Sequence, residues 1–250
     1  MKYARFRFQD TEYYGVVEDN NLRVLSDAPA AGGQPTDQLV PLATAQLLSP
    51  VKPSKIIGVG LNYKSVAAAK GVEFPPEPIL FLKPPSSVVG AGADIVIPAM
   101  VQQPAGEVEL AVVIGRRCKD VTVAAARDYV VGYTLSNDVT AKDHMPKGQP
   151  WTKGKSFDTF TPLGPLLVTD VDPDRVELVM TVNGQEKQRG STADMIFSVD
   201  RLVSFISGIM TLEPGDVILT GTPPGACGLQ RGDRVELSSR ELGSMVQTIR

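Results

Sequence analysis

The chain has 250 residues, of which 42% are hydrophobic and 21% charged, and its formal charge is −3; this is the composition of an ordinary globular protein with a substantial core. The balance leaves no basic footprint for nucleic acid, and no stretch reaches the roughly 18 unbroken apolar residues of a membrane span. "MKYARFRFQD" breaks its apolar residues with charges and lacks a secretory h-region, and Cys118 and Cys227 stand far apart, so a cytoplasmic protein with neither a disulfide framework nor a zinc cluster is expected.

Along the chain, "YARFRF", "EYYGVVE" and "LRVL" read as a small antiparallel unit, with "EDNN" turning between the last two. "SDAPAAGGQPTDQ" has no period and reads as a connection, and "VPLATAQLLSP" as a short helix. Residues 1–50 therefore form a small β-rich amino-terminal domain with its linker, and residues 51–250 the main body. There, short β-type runs recur: "KIIGVG", "ILFL", "DIVIP", "EVELAVVIG", "YVVGYTLSND", "GPLLV", "VELVMTVNG", "DVILTG" and "DRVELSS". Asn183-Gly184 is a hairpin signal, since both residues tolerate the positive φ of a type I′ turn. "SVDRLVSFISGIM" reads as a helix capped by Ser198, with Leu202, Phe205, Ile206 and Ile209 on its apolar face. The class is mainly β with few helices.

The run "GEVELAVVIG" opens with Glu107 and Glu109 two places apart. Alternate side chains of a strand share a face, with Cα atoms roughly 6.5 to 7 Å apart, so two long carboxylates can converge there. Two converging, partly buried carboxylates repel each other and lose hydration unless a cation compensates. Asp138, at the end of "YVVGYTLSND", is a third acid placed where a strand gives way to a loop. Oxygen-only ligation favours a hard cation such as magnesium, manganese or calcium. The competing reading is a pair of exposed glutamates on the solvent face of an edge strand.

"GVGLNY", "FLKPPSSVVG", "EVELAVVIG", "GYTLSNDVTAKD", "WTKGKSFDTFTPLGP", "VNGQEKQ", "STADMIFSV" and "TLEPGDVILTGTPPG" follow one another in an order that resembles the fumarylacetoacetate hydrolase family, from about Lys52 to the end. The first fifty residues resemble the β-rich leader of its bacterial members. The resemblance implies a mixed β-roll, a homodimer, and one magnesium or manganese ion per subunit. It implies a small 2-oxo or 1,3-dioxo acid substrate and a metal-stabilised enolate. At the matching positions, Glu107, Glu109 and Asp138 are the metal ligands and Lys155 is the active-site lysine. Thr222 contacts the substrate carboxylate, and Lys142, Asn62 and Tyr63 are further substrate-side positions.

The same comparison shows departures. Family hydrolases read Asn-Tyr-x-x-His-x-x-Glu, the His and Glu activating a water, where this chain has Val66 and Ala69. They also read Ala-Arg-Asp-x-Gln, where this chain has Lys142 and Met145. Cleaving a carbon–carbon bond in a 1,3-dioxo acid requires activated water, whereas decarboxylation or tautomerisation through an enolate does not. A decarboxylase, tautomerase or isomerase is therefore expected ahead of an acylpyruvase-type hydrolase, with Lys155 serving through a pKa lowered by desolvation. A family-shaped binding or scaffolding dimer without catalysis is the alternative of another class.

His144, the only histidine, stands in "KDHMPKGQPW" as a candidate replacement for the missing base, against the alternative of a solvated loop residue. By resemblance, "DHMPKGQPWTKGKSFD" is an active-site lid that closes on ligand, with Trp151 as its anchor. "GVGLNY" fails as a dinucleotide fingerprint because Tyr63 stands where the third glycine belongs, and "TGTPPG" lacks the Lys-Ser or Lys-Thr pair of a phosphate loop.

Overall fold

The computed structural model describes every residue except 147 and 149. The amino-terminal strands are β1 (Lys2–Phe8), β2 (Thr11–Glu18), β3 (Asn21–Leu25), β4 (Pro35–Pro41) and β5 (Gln46–Leu47). The body begins with β6 (Ile56–Gly60), α1 (Lys64–Lys70), β7 (Ile79–Lys83) and β8 (Val88–Val89). It continues with β9 (Pro104–Gly106), β10 (Val108–Ile114), β11 (Val130–Asn137), β12 (Thr140–Ala141), α2 (Thr152–Lys155) and β13 (Thr161–Val168). It closes with β14 (Glu177–Val182), β15 (Gln185–Ser191), α3 (Val199–Ile209), β16 (Val217–Leu219), β17 (Cys227–Gly228), β18 (Arg234–Ser239) and β19 (Gly243–Thr248).

The large sheet runs β4-β3-β2-β1-β13-β11-β10-β16-β6-β7, with β5 paired to β1 and β8 to β13. A four-stranded sheet, β15-β14-β18-β19, and a short one, β12-β9-β17, complete a mixed β-roll. Most pairs are antiparallel, while β16 runs parallel to β6 and β8 to β13. The amino-terminal strands have a small core of their own around Phe6, Leu22 and Val40, yet β1 pairs with β13 and so joins the body's sheet. No described helix is long and apolar enough to cross a membrane.

Local chemistry accounts for the main elements. Every residue of β10 is buried, because the strand lies between β11 and β16 with both faces covered, the placement that suits a continuous apolar run. Asn183 and Gly184 take φ of 53° and 78° and turn β14 into β15. In α3 the Ser198 side chain accepts a hydrogen bond from the Arg201 backbone N–H. Leu202, Val203 and Ile206 are buried there, each contributing about 1.5 to 3 kcal/mol. Ile209, expected on that apolar face, is 55% exposed at the helix end.

Three expectations are corrected. "VPLATAQLLSP" holds one 3-10 turn, Leu42–Thr44, rather than a short helix; β5 pulls the chain straight against β1. "SDAPAAGGQPTDQ" is not wholly a connection, since β4 begins at Pro35 and pairs with β3. "DIVIP" is not a strand but a single bridge between Ile95 and Ile249. Cys118 and Cys227 are free thiols.

Candidate active site

Strand register assembles the acids. Val108 of β10 faces Asn137 of β11, and Glu109 faces Ser136. Glu107, just before β10, therefore meets Asp138, just past β11, and the Asp138 N–H donates to the Glu107 carbonyl at 2.8 Å. The Asn137 side chain ties the same corner by accepting from the Glu107 N–H at 3.0 Å. All three carboxylates are buried, and one oxygen from each lies within 4.8 Å of the others. This excludes the reading of the glutamates as an exposed edge pair.

The cluster is held by lysines. Lys155, at the end of α2, donates to Glu107 Oε2 at 2.8 Å and to Asp138 Oδ2. Lys83, fully buried at the end of β7, donates to the other oxygen of Asp138 and to the Phe160 carbonyl at 2.9 Å. Lys142 donates to Glu107 Oε1 at 2.9 Å. Glu109 accepts from the Gly221 N–H at 2.7 Å. Burial raises the Glu107 carboxyl, but Lys155 and Lys142 outweigh it and hold the group at about 2. Burial, reinforced by Asp138, pushes Glu109 well above the usual carboxylate range. Lys155 departs from the expectation of a lowered pKa. Burial works in that direction, but Asp138, Glu107 and Glu109 overcome it and keep the ammonium charged.

The acids open into a cavity of about 150 Å³, lined also by Val66, Lys70, Phe81, Thr140, Lys142, Met145, Trp151, Lys155 and Thr222. The Lys155 ammonium stands 4.8 Å over the Phe81 ring, which shields it from water. Trp151 packs on Phe81 and against Gly60, where a Cβ would come within 2.0 Å of the indole. Residues 147 and 149 of the expected lid segment lie outside the described residues. Thr222 Oγ1 donates to the Val108 carbonyl at 2.8 Å and accepts from the Gln188 amide at 2.9 Å.

Three sequence candidates stand apart from this cavity. Asn62 is 1% exposed and spends its amide on the Phe197 and Thr220 backbone. Its Cβ packs under Gly221, whose φ of 96° and tight surroundings suit only glycine, so Asn62 braces the turn that presents Gly221 and Thr222. Tyr63 is fully buried in the main core, its hydroxyl without a hydrogen-bond partner in the described structure. His144 donates from Nε2 to the Met100 carbonyl at 3.0 Å and stacks edge-on against Phe157, outside the residues that line the cavity.

Sequence reasoning missed Lys83 and Gln188. A signal for Lys83 was present, since a lysine ending the apolar run "ILFLK" needs a buried partner. Gln188 closes the motif "VNGQEKQ", but its role was not legible there, because only the pairing of the four-stranded sheet brings it to Thr222 and to the Val108 N–H.

An all-oxygen donor set around a side-chain ammonium that bridges two of its three acids fits a hard divalent ion. Residues 55–250 match the fumarylacetoacetate (FAA) hydrolase C-terminal family, well over half of the chain. The chain belongs to the fumarylacetoacetate hydrolase family. Residues 1–50 match the Rv2993c-like N-terminal family. The protein PH0643 of Pyrococcus horikoshii is 47% identical over 201 residues, 78% of this chain and 87% of that protein. A crystal structure of 5-carboxymethyl-2-hydroxymuconate delta-isomerase from Mycobacterium smegmatis is 39% identical, with a TM-score of 0.94 over 100% of this chain and 99% of that one. Maleylpyruvate hydrolase from Sphingobium sp. SYK-6, solved with manganese(II) and pyruvate, is 27% identical, with a TM-score of 0.81 over 100% and 98%. Fumarylacetoacetate hydrolase family relatives thus include both isomerases and hydrolases. Val66, which the sequence resemblance sets where family hydrolases have a histidine, lines the cavity, while Ala69 is exposed.

Proposed function

We propose that this protein is a divalent-metal-dependent enzyme that acts on a small 2-oxo acid through an enolate, by isomerisation, tautomerisation or decarboxylation rather than by hydrolysis of a carbon–carbon bond. One observation carries the reading: three carboxylates and a charged lysine converge in a cavity whose wall has an apolar side chain, Val66, in place of the water-activating base. Glu107, Glu109 and Asp138 would hold a magnesium or manganese ion, which supplies Lewis-acid polarisation of the 2-oxo group. The manganese and pyruvate of the maleylpyruvate hydrolase relative are consistent with that chemistry. Lys155, an ammonium beside these acids, would neutralise negative charge growing on the substrate oxygen. Trp151 and Phe81 exclude water from the ammonium, which strengthens that effect. The isomerase among the relatives supports the enolate reading, as the hydrolases among them support the alternative.

The protein works as a homodimer in this reading. Edge strand β7 exposes Ile79 and Leu82, and Ile209 is exposed on the same groove; a second copy would cover this apolar strip, and sedimentation that shows a monomer would refute it.

The deciding experiment is a pair of steady-state assays with magnesium or manganese: oxaloacetate decarboxylation and enol–keto conversion against acylpyruvate cleavage. The first pair should be faster in the parent. Val66→His with Ala69→Glu, placed on a helix that does form, should raise cleavage selectively. Rapid acylpyruvate cleavage by the parent would instead establish the hydrolase.

A further inference from the structure

One polar side chain beside the proposed 2-oxo acid site is buried in a strand that is otherwise wet. Along β15 Gln188 is buried between the exposed Lys187 and Arg189. It pairs with the fully buried Met180, and cross-strand partners share a face, so its amide points into the protein. A buried amide is costly unless its donors and its acceptor find partners, and Gln188 finds them on two other segments. Its Oε1 accepts from the Val108 N–H at 2.8 Å, and its Nε2 donates to Thr222 Oγ1 at 2.9 Å and to the Pro223 carbonyl at 2.7 Å. A backbone N–H must meet the amide oxygen and a backbone carbonyl the amide nitrogen, so one orientation of the side chain serves all three bonds.

These bonds stand where a β-ladder runs out. Strand β16 pairs with β10 from Ala111 to Val113, and the Thr220 N–H still reaches the Leu110 carbonyl, but the chain then turns away at Gly221. Val108, between Glu107 and Glu109, has its N–H met by Gln188 and its carbonyl by the Thr222 hydroxyl at 2.8 Å, so side chains stand in for the missing strand. The turn that carries Thr222 is pressed onto β15: a Cβ on Gly190 would stand 2.4 Å from the Cβ of Pro223, and one on Gly225 would stand 2.1 Å from the Lys187 carbonyl oxygen. A threonine hydroxyl has one proton. With Gln188 donating to Oγ1, the oxygen is held in place, and the proton can point to the Val108 carbonyl or to a ligand oxygen in the cavity that Thr222 lines.

We infer that Gln188 is a positioning residue for ligand binding: it fixes the Thr222 hydroxyl for an anionic oxygen of the metal-bound ligand and acts on that ligand only through Thr222. The inference rests on the proposed 2-oxo acid site. Gln188 stands behind Thr222, outside the residues that line the cavity, and takes no part in proton transfer.

The test titrates manganese, and then oxalate onto the manganese-loaded protein, by calorimetry in the parent, Gln188→Met, Thr222→Val and the double variant, with thermal unfolding of each. Gln188→Met should lower oxalate affinity about 10-fold, the low end for a lost outer hydrogen-bond partner, with manganese affinity little changed. Thr222→Val should lose at least as much. The double variant should bind oxalate as Thr222→Val does, rather than about 10-fold more weakly still, as independent sites would. That non-additivity is what a merely structural role would not produce. Gly190→Ala drives Pro223 off β15 without altering the Gln188 side chain; it should lower oxalate affinity in the same way, and it decides the matter by the same titrations should Gln188→Met not fold. Multiplicative losses, a fall in manganese affinity as large as the fall for oxalate, or an unchanged oxalate affinity beside a lowered unfolding temperature would overturn the inference and leave the 2-oxo acid reading standing. A manganese-loaded parent that does not bind oxalate overturns both.

Discussion

Two buried aspartates at strand ends, Asp216 and Asp138, share a burial class and differ in nearly everything else. Asp216, just before β16, accepts from the Ser54 N–H and hydroxyl, the Lys55 N–H and ammonium, and the Glu213 N–H. Its partners are mostly backbone groups of two loops, and no second acid shares them; its charge is spent on joining the start of β6 to the start of β16. Asp138 is held by two lysine ammoniums, sits with Glu107 and Glu109, and faces a cavity. A carboxylate saturated by local backbone donors serves the fold. Carboxylates gathered against one another and balanced by side-chain cations keep a charge imbalance that a ligand can use.

The comparison can be broken most decisively at the cluster. Glu109→Gln keeps the shape and removes a charge, so manganese affinity should fall by more than the 10- to 100-fold typical of lost outer partners, while Asp216→Asn keeps it. Calorimetric titration of both variants reads the contrast, and equal affinities in the two would refute it. Lys155→Ala should lower turnover of the favoured reaction by about 10²- to 10⁴-fold, with manganese still bound, since the acids then lose a competing cation; loss of the metal instead would make Lys155 structural.

Asp216→Asn should act on stability alone. It leaves the Lys55 ammonium without its partner and should cost about 3 kcal/mol in denaturant unfolding, the low end for a broken buried pair. A smaller effect than that of Glu109→Gln on the same scale would reverse the assignment of the two acids.

The mildest effect belongs to Glu12, a partly exposed acid at the seam between the amino-terminal strands and the body. Lys52, Arg5 and Arg7 hold its carboxyl at about 2, down from 4.5. The folded-state value is depressed, so the contribution is fully present above the unfolded value and is lost as pH falls toward 2. Glu12→Gln should therefore cost about 1 kcal/mol at neutral pH, discounted for solvent screening, and nothing near pH 2. Thermal unfolding of parent and variant across that range checks the sign.

Much of this was written in local pattern. The continuous apolar run after Glu109, the Asn183-Gly184 turn and the Ser198 cap each follow from side-chain chemistry within a few residues, and motif order carried the family. The 3-10 turn at Leu42–Thr44 was not legible as such, since its short apolar stretch suits a helix until β5 pairs with β1. Lys155 could be named from sequence, but its charge state could not, because that depends on acids from two other segments. Asn62 and Tyr63 share a motif with the site yet point into the protein, where the partners are the backbone of residues 197 and 220 and the main core.

The sequence by itself determined which residues are acids, which runs must be buried, and that Glu107 and Glu109 stand two places apart, because these are properties of composition and period. Only the tertiary structure decided that Asp138 meets them, that Lys83 backs Asp138, and that Lys70 stands at the cavity wall. Those facts depend on the β10–β11 register and on the face that α1 turns inward, and pairing between distant segments is not encoded in any short stretch of chain.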